Sequence, residues 1–270
     1  MARSQVWECT ITIWDSSVLH YDFDAKTTSN RRFTLVKKFP IMKPGKIVAL
    51  ALFSLFFSCL IDANAQDANP DYDQVAAQIF WQELYGTGGW TLYCGYRFDK
   101  DQKTKSGRLI GIEHIYPGDL MLKRAGCKSR LQCYQSDNTM FRLMEADMHN
   151  MYPVWQNLIT YRYNYSYGVV TGEEWRVDGC DIEWKSGVLE PRAVARGNIA
   201  RAVFYMHNRY GVEIDPEMFQ TLKEWNREDP PSKQERERND RIELLQGRRN
   251  PYIDQPMAIE KLSLREKANP

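Results

Sequence analysis

Apolar positions along the chain change period several times, and each change marks an element. Val75, Ala76, Ile79, Phe80 and Leu84 recur at helical spacing behind Asn69-Pro70. That predicts a helix with Asn69 as N-cap, Pro70 at its first position and Gly86 at its end. Trp90, Leu92, Cys94, Tyr96 and Phe98 then alternate with period two, the mark of a half-buried strand. A polar loop, 99–107, leads into a second apolar run from Leu109 to Tyr116, stopped by Pro117, so the two runs predict a hairpin. Residues 118–138 read as irregular. Phe141, Met144, Met148 and Met151 form the buried stripe of a helix that Pro153 ends. Gly172 to Trp184 reads as strand, Arg196 to Tyr210 and Met218 to Trp225 as helices, and the charged run Lys233 to Arg249 as a solvated helical face. The fold class expected is α+β, mainly α, with no repeat and no domain boundary inside 66–270.

Before these elements stands a different pattern. Met42, Lys43 and Lys46 precede an apolar run from Ile47 to Phe57, and Ala63-Asn64-Ala65 follows. A basic start, a short apolar stretch and a small-residue site make a secretory signal peptide over 42–65, cleaved after Ala65. The competing membrane anchor needs about 20 apolar residues, more than this run has. Cys59 raises a lipoprotein alternative. Residues 1–41 hold Trp7, Trp14, Phe23 and Phe33 without a sustained period and read as a disordered upstream extension. A periplasmic or secreted chain with no stable membrane association is expected. The 270 residues, 43% hydrophobic, suffice for one sizeable core, and a formal net charge of +1 leaves any nucleic-acid contact to local basic patches.

Cleavage leaves Cys94, Cys127, Cys133 and Cys180, an even number in an oxidising compartment. Four cysteines allow three pairings. Cys127 and Cys133 are close enough to staple a local loop, and Cys94–Cys180 would then tie distant segments. A four-thiolate zinc site competes with this, but no C-x-x-C pair supports it.

Candidate chemistry sits in Gly111-Ile112-Glu113-His114-Ile115-Tyr116-Pro117. An imidazole can take a proton from water near neutral pH, and a carboxylate oxygen suits Mg²⁺. Alone, such a dipeptide is weak evidence. Three further motifs accompany it: Met144-Glu145-Ala146-Asp147-Met148-His149-Asn150-Met151-Tyr152-Pro153, Glu190-Pro191-Arg192 through Ala202, and Gln246-Gly247-Arg248-Arg249-Asn250-Pro251-Tyr252. On these motifs the chain resembles the bacterial endonuclease I family, nucleases of the ββα-metal (His-Me finger) group, over nearly all of 72–254.

The resemblance implies a ββα-metal core with surrounding helices and a non-specific endonuclease that hydrolyses DNA, often RNA as well, leaving 5′-phosphate ends. It implies His114 as general base, Glu113 as ligand of one Mg²⁺, Arg130 as the holder of the phosphate, and Glu145 as support for the metal's water shell. One position departs. The family's second metal ligand, an asparagine, falls on Ile159, and Asn157 is the nearest replacement, about 200° round a helix from it. A catalytically weakened or inactive member that binds nucleic acid is therefore the alternative, and a disulfide-stapled interaction module the third reading.

A regular strand would send Glu113 and His114 to opposite faces, so β-structure is expected to bend or end there, with both groups converging on a cleft facing Glu145. His149, four residues after Glu145, is expected to share its helix face as a packed, hydrogen-bonded histidine, and His207 to be structural. Arg162, Arg196 and Arg201 are candidate phosphate contacts, with ion pairing as the alternative use of the last two. Trp155, Tyr161, Tyr163, Tyr165 and Tyr167 cluster beside Arg162, for burial or for base stacking. A monomer is expected.

Overall fold

The computed structural model describes residues 70–172, 174–177 and 179–264, and before them the backbone of three strands. The chain divides into two compact units, Met1–Ala63 and Asn64–Pro270. In the first, β1 (Trp7–Asp15), β2 (Val18–Ala25) and β3 (Phe33–Lys38) pair in order as an antiparallel sheet, with Ile11 opposite Tyr21. In the sequence Cys9, Ile11 and Ile13, then Leu19, Tyr21 and Phe23, alternate along these strands, where a disordered extension without a sustained period was expected. The signal-peptide segment 42–65 and Asn69 lie outside the described residues.

The second unit opens with α1 (Tyr72–Gln74), capped by the Asp71 side chain, running into a π-helix, Val75–Leu84, that buries Phe80 and Leu84. Only short pieces of the alternating run pair, β4 (Gly89–Trp90) with β5 (Arg97–Phe98). Between them the chain turns at Gly95, in the left-handed region at φ 64°, beside the Cys94–Cys180 disulfide. The predicted hairpin is therefore absent. Instead β6 (Ile110–His114) pairs antiparallel with β7 (Met151–Trp155), Glu113 opposite Tyr152 and His114 opposite Met151.

Between β6 and β7 lie three helices, where irregular chain was expected up to 138. They are α2 (Gly118–Ala125), α3 (Arg130–Gln135) and α4 (Thr139–Glu145). Their caps were present in the sequence: Gly126 ends α2 at φ 74°, Ser129 accepts from Gln132 N–H, and Asn138 accepts from Phe141 N–H. Helix α4 stops at Glu145, so Met151 and Pro153 belong to strand. Pro153 is tolerated there, its carbonyl accepting from Leu92 N–H.

Helix α5 (Gln156–Arg162) follows β7 directly, then β8 (Ser166–Tyr167), which joins β10 (Val188–Pro191) and β9 (Ile182–Lys185) in one sheet. Helices α6 (Ala193–Tyr210), α7 (Pro216–Glu228) and α8 (Lys233–Gln246) carry most of the remaining core, through Ile199, Val203, Phe204, Phe219, Leu222 and Trp225. The short α9 (Pro251–Asp254) and a 3₁₀ turn, Pro256–Lys261, close the unit. Contrary to a wholly solvated face, α8 buries Glu235, Asn239 and Ile242. Among the described residues no helix is long and apolar enough to cross a membrane.

Cys127 and Cys133 are joined, as are Cys94 and Cys180. The first closes a loop of only six residues. Replacing both of its cysteines with serine is expected to lower stability by about 2 kcal/mol, read by urea denaturation.

Candidate active site

Strand β6 ends at His114, and the two adjacent side chains meet different neighbours. His114 turns toward α4. Its Nε2 lies 2.7 Å from the Glu145 carbonyl oxygen, one of the helix-end carbonyls without an intrahelical partner. A carbonyl can only accept, so Nε2 carries the proton and Nδ1 keeps its lone pair. Burial lowers the pKa of His114, with the Glu145 carbonyl pulling the other way, so the ring is neutral at neutral pH. The Tyr72 ring stands against it, centroids 5.3 Å apart.

Glu113 leaves toward α5. It is 5% exposed, and its nearest cation is Arg162, Nε to Oε1 3.8 Å, too long for a hydrogen bond. Burial raises its pKa to about 8, against the opposing pull of Arg162. A carboxylate so placed is short of positive charge. The Tyr72 hydroxyl feels both Glu145 and Glu113, and burial with these charges raises its pKa to about 12.

Arg130, the first residue of α3, donates from Nε to Glu145 Oε1 at 2.6 Å and from Nη2 to Asp73 Oδ1 at 3.3 Å and Tyr134 hydroxyl at 3.2 Å. The Tyr134 hydroxyl donates to Glu145 Oε2 at 2.7 Å. Both Glu145 oxygens thus have partners inside the protein, and Glu145 acts here as the strut that orients Arg130 while its backbone holds His114. Sequence reasoning missed Tyr72, Asp73 and Tyr134. Tyr134, four residues after Arg130 and so on its face, carried a readable signal.

The stripe of α5 that faces β6 holds Ile159. A Cβ on Gly111 would come within 2.7 Å of Ile159 Cδ1, so the glycine is what lets helix and strand approach. Asn157 is exposed and stands about 200° round the helix from Ile159, off the stripe that meets β6. Among the described residues no group of three or more His, Cys, Asp or Glu side chains could hold a metal.

Two of the other candidate arginines are internal and the third, Arg196, is half-buried. Arg162, 2% exposed, donates to the carbonyls of Tyr163, Tyr165 and Ile115 and to the Tyr167 hydroxyl. Arg201 is fully buried, with Nε and Nη2 on the two oxygens of Glu235 at 2.7 and 2.6 Å. Arg196 pairs with Glu190 at 2.5 Å. As phosphate contacts, Arg162 and Arg201 are corrected, because buried guanidinium groups already satisfied by protein oxygens are out of reach of a polyanion.

His149 lies beyond the end of α4 rather than on its face. It is packed against Tyr205 at 4.7 Å, with Nε2 on the Arg248 carbonyl at 3.0 Å. His207 Nδ1 bonds the Val212 carbonyl, a structural role. Asn150 fixes the end of β6, its amide donating to the Tyr116 carbonyl and accepting from Tyr116 N–H. Of the aromatic group, Tyr167 is buried, while Tyr161 and Tyr163 are 51% and 67% exposed.

Residues 65–257 match the sequence profile of the family described as Endonuclease I. The chain belongs to the endonuclease I family. A periplasmic deoxyribonuclease of Aeromonas hydrophila is 28% identical over 237 residues, 78% of this chain and 98% of that protein. An extracellular deoxyribonuclease of the same organism is 29% identical over 225 residues, 75% of this chain and 96% of its own length. Endonuclease-1 of Buchnera aphidicola is 30% identical over 182 residues, 65% and 70% of the two chains.

Proposed function

We propose that the protein is a periplasmic or secreted endonuclease that hydrolyses phosphodiester bonds in DNA, with RNA as a further substrate, and leaves 5′-phosphate ends. The observation that carries this is the His114–Glu145 hydrogen bond, which leaves Nδ1 of a neutral imidazole unprotonated one residue from a buried carboxylate. The family membership and the names of the relatives support the same reading. The succession β6, β7, α5 supports a ββα-metal core built by these elements rather than by the segment 90–98.

The donor set suits Mg²⁺. Glu113 offers a carboxylate short of positive charge, and Mg²⁺ characteristically uses one or two carboxylates beside waters and substrate phosphate. Glu113 would hold the ion, which when bound would neutralise charge developing on the scissile phosphate. The remaining work falls to the chain itself. His114 Nδ1 takes a proton from the attacking water, the Glu145 carbonyl fixing ring and tautomer. Arg130, aimed by Glu145 and Tyr134, is 45% exposed at its side chain and free to present the rest of its guanidinium to a phosphate.

Glu113→Gln keeps the shape and removes the charge. Cleavage of plasmid in Mg²⁺ is expected to fall at least about a hundredfold, the loss of several kcal/mol of charge stabilisation. Undiminished cleavage would remove Glu113 from the reaction.

The weakened-enzyme reading is favoured by one observation, the apolar contact of Ile159 with Gly111 where a second oxygen donor is absent. Ile159→Asn is expected to tighten Mg²⁺ binding roughly tenfold by calorimetry, about 1.4 kcal/mol. Unchanged affinity would show that this position does not limit the metal.

A further inference from the structure

With Arg162 and Arg201 internal and Arg196 tied to Glu190, the described surface needs another source of positive charge for a polyanion. Residues 97–108, which join β5 to β6, hold Arg97, Lys100, Lys103, Lys105 and Arg108 against only Asp99 and Asp101. This local excess of three stands out in a chain whose formal net charge is +1. Arg97 and the three lysines are exposed, and Arg108 is half-buried. Among the described residues none of the five cations makes an ion pair, whereas Arg130, Arg196, Arg201, Arg227 and Arg249 all do.

The segment is also held in shape. Thr104 is its hub: its N–H donates to the Arg108 carbonyl, its hydroxyl oxygen accepts from Arg108 N–H, and its carbonyl accepts from Gly107 N–H. Asp99 N–H donates to the Lys103 carbonyl and Gln102 N–H to the Asp99 carbonyl, with Gln102 and Gly107 supplying left-handed turns at φ 60° and 80°. The Arg108 guanidinium lies over Tyr96 and Trp155, at 4.8 and 5.5 Å from the ring centroids. The finger ends where Ile110 N–H donates to the Gln102 carbonyl, and Ile110 is three residues before Glu113. Along an extended strand that is about 10 Å.

We infer that this finger is the nucleic-acid backbone contact, its lysines neutralising phosphates that flank the scissile one. The inference rests on the nuclease reading above. A duplex carries one negative charge per ~1.7 Å of axis, so several phosphates fall within that span, and contacts to phosphate alone carry no sequence information. Lysines without an ion-pair partner fit the task because each keeps its charge free for a phosphate.

The test is a triple variant, Lys100→Gln, Lys103→Gln and Lys105→Gln, in the intact protein. Affinity for a labelled duplex is followed by fluorescence anisotropy in EDTA from about 50 to 200 mM salt. Removing one lysine that neutralises a phosphate lowers the slope of log affinity against log salt by about 0.9, so a fall of up to about 2.7 is expected for three. In Mg²⁺ the drop in kcat/KM is expected to fall mainly on KM. Lys233→Gln, on α8 and paired with Glu237, serves as control and is expected to leave the slope as it was. A triple variant with the wild-type slope and affinity, or a control that lowers the slope as much, overturns the finger while plasmid cleavage by the wild type still upholds the nuclease. A wild type that neither binds nor cuts overturns both.

Discussion

His114→Ala is expected to lower plasmid cleavage by roughly 10² to 10⁴, the contribution of a positioned general base. His114 also satisfies a carbonyl at the end of α4, so alanine alone confuses two losses. His114→Gln separates them. A glutamine amide reaches the Nε2 position and can still donate toward the Glu145 carbonyl, but it offers no base in place of Nδ1. It is expected to lose as much activity as alanine while melting closer to wild type. If the glutamine variant cleaves at the wild-type rate, the ring is a structural strut and the base lies elsewhere.

Arg201→Ala is expected to cost about 3 to 5 kcal/mol of stability and no specific activity per folded molecule. The pair with Glu235 is enclosed, side-chain exposures being 0% and 1%, and Arg201 also donates to Asn226 Oδ1 and the Asp229 carbonyl. Removing the arginine leaves a buried, unpaired carboxylate. For a domain of this size the melting temperature falls by roughly 6 to 20 °C. The double change Arg201→Met with Glu235→Leu is expected to recover much of the loss, because it removes both charges together. A single variant that melts within about 1 °C of wild type, inside the scatter of neutral surface changes, contradicts this role for the arginine.

How much of the fold and site was legible in the sequence differs by element. Helices α6 and α7 follow from periodic apolar residues, a signal contained within each element, although their starts at Ala193 and Pro216 were placed two or three residues late. Strand β6 and the Glu113–His114 pair at its end were equally local. What pairs with β6 was not, because strand partnership is decided by packing over long separations: the partner lies at 151–155, beyond three helices. The same limit applies to charge. Arg201 and Glu235 are 34 residues apart, and nothing near either one distinguishes a buried pair from two solvated ions. The role of Glu145 divides between its backbone, which holds His114, and its side chain, which holds Arg130; a motif shows the residue but not which of its oxygens does what. That two disulfides form was readable from the even number of cysteines and the expected export, but their pairing was open among three, with only the closeness of Cys127 to Cys133 in sequence favouring the one observed.

Metal-dependent DNA cleavage is tested most directly by incubating the purified protein with supercoiled plasmid in Mg²⁺ and again in EDTA, with the ends of any product analysed. Nicked and linear DNA bearing 5′-phosphate ends in Mg²⁺, and intact plasmid in EDTA, is the predicted result. Plasmid left intact under both conditions, or cut equally in both, would contradict it.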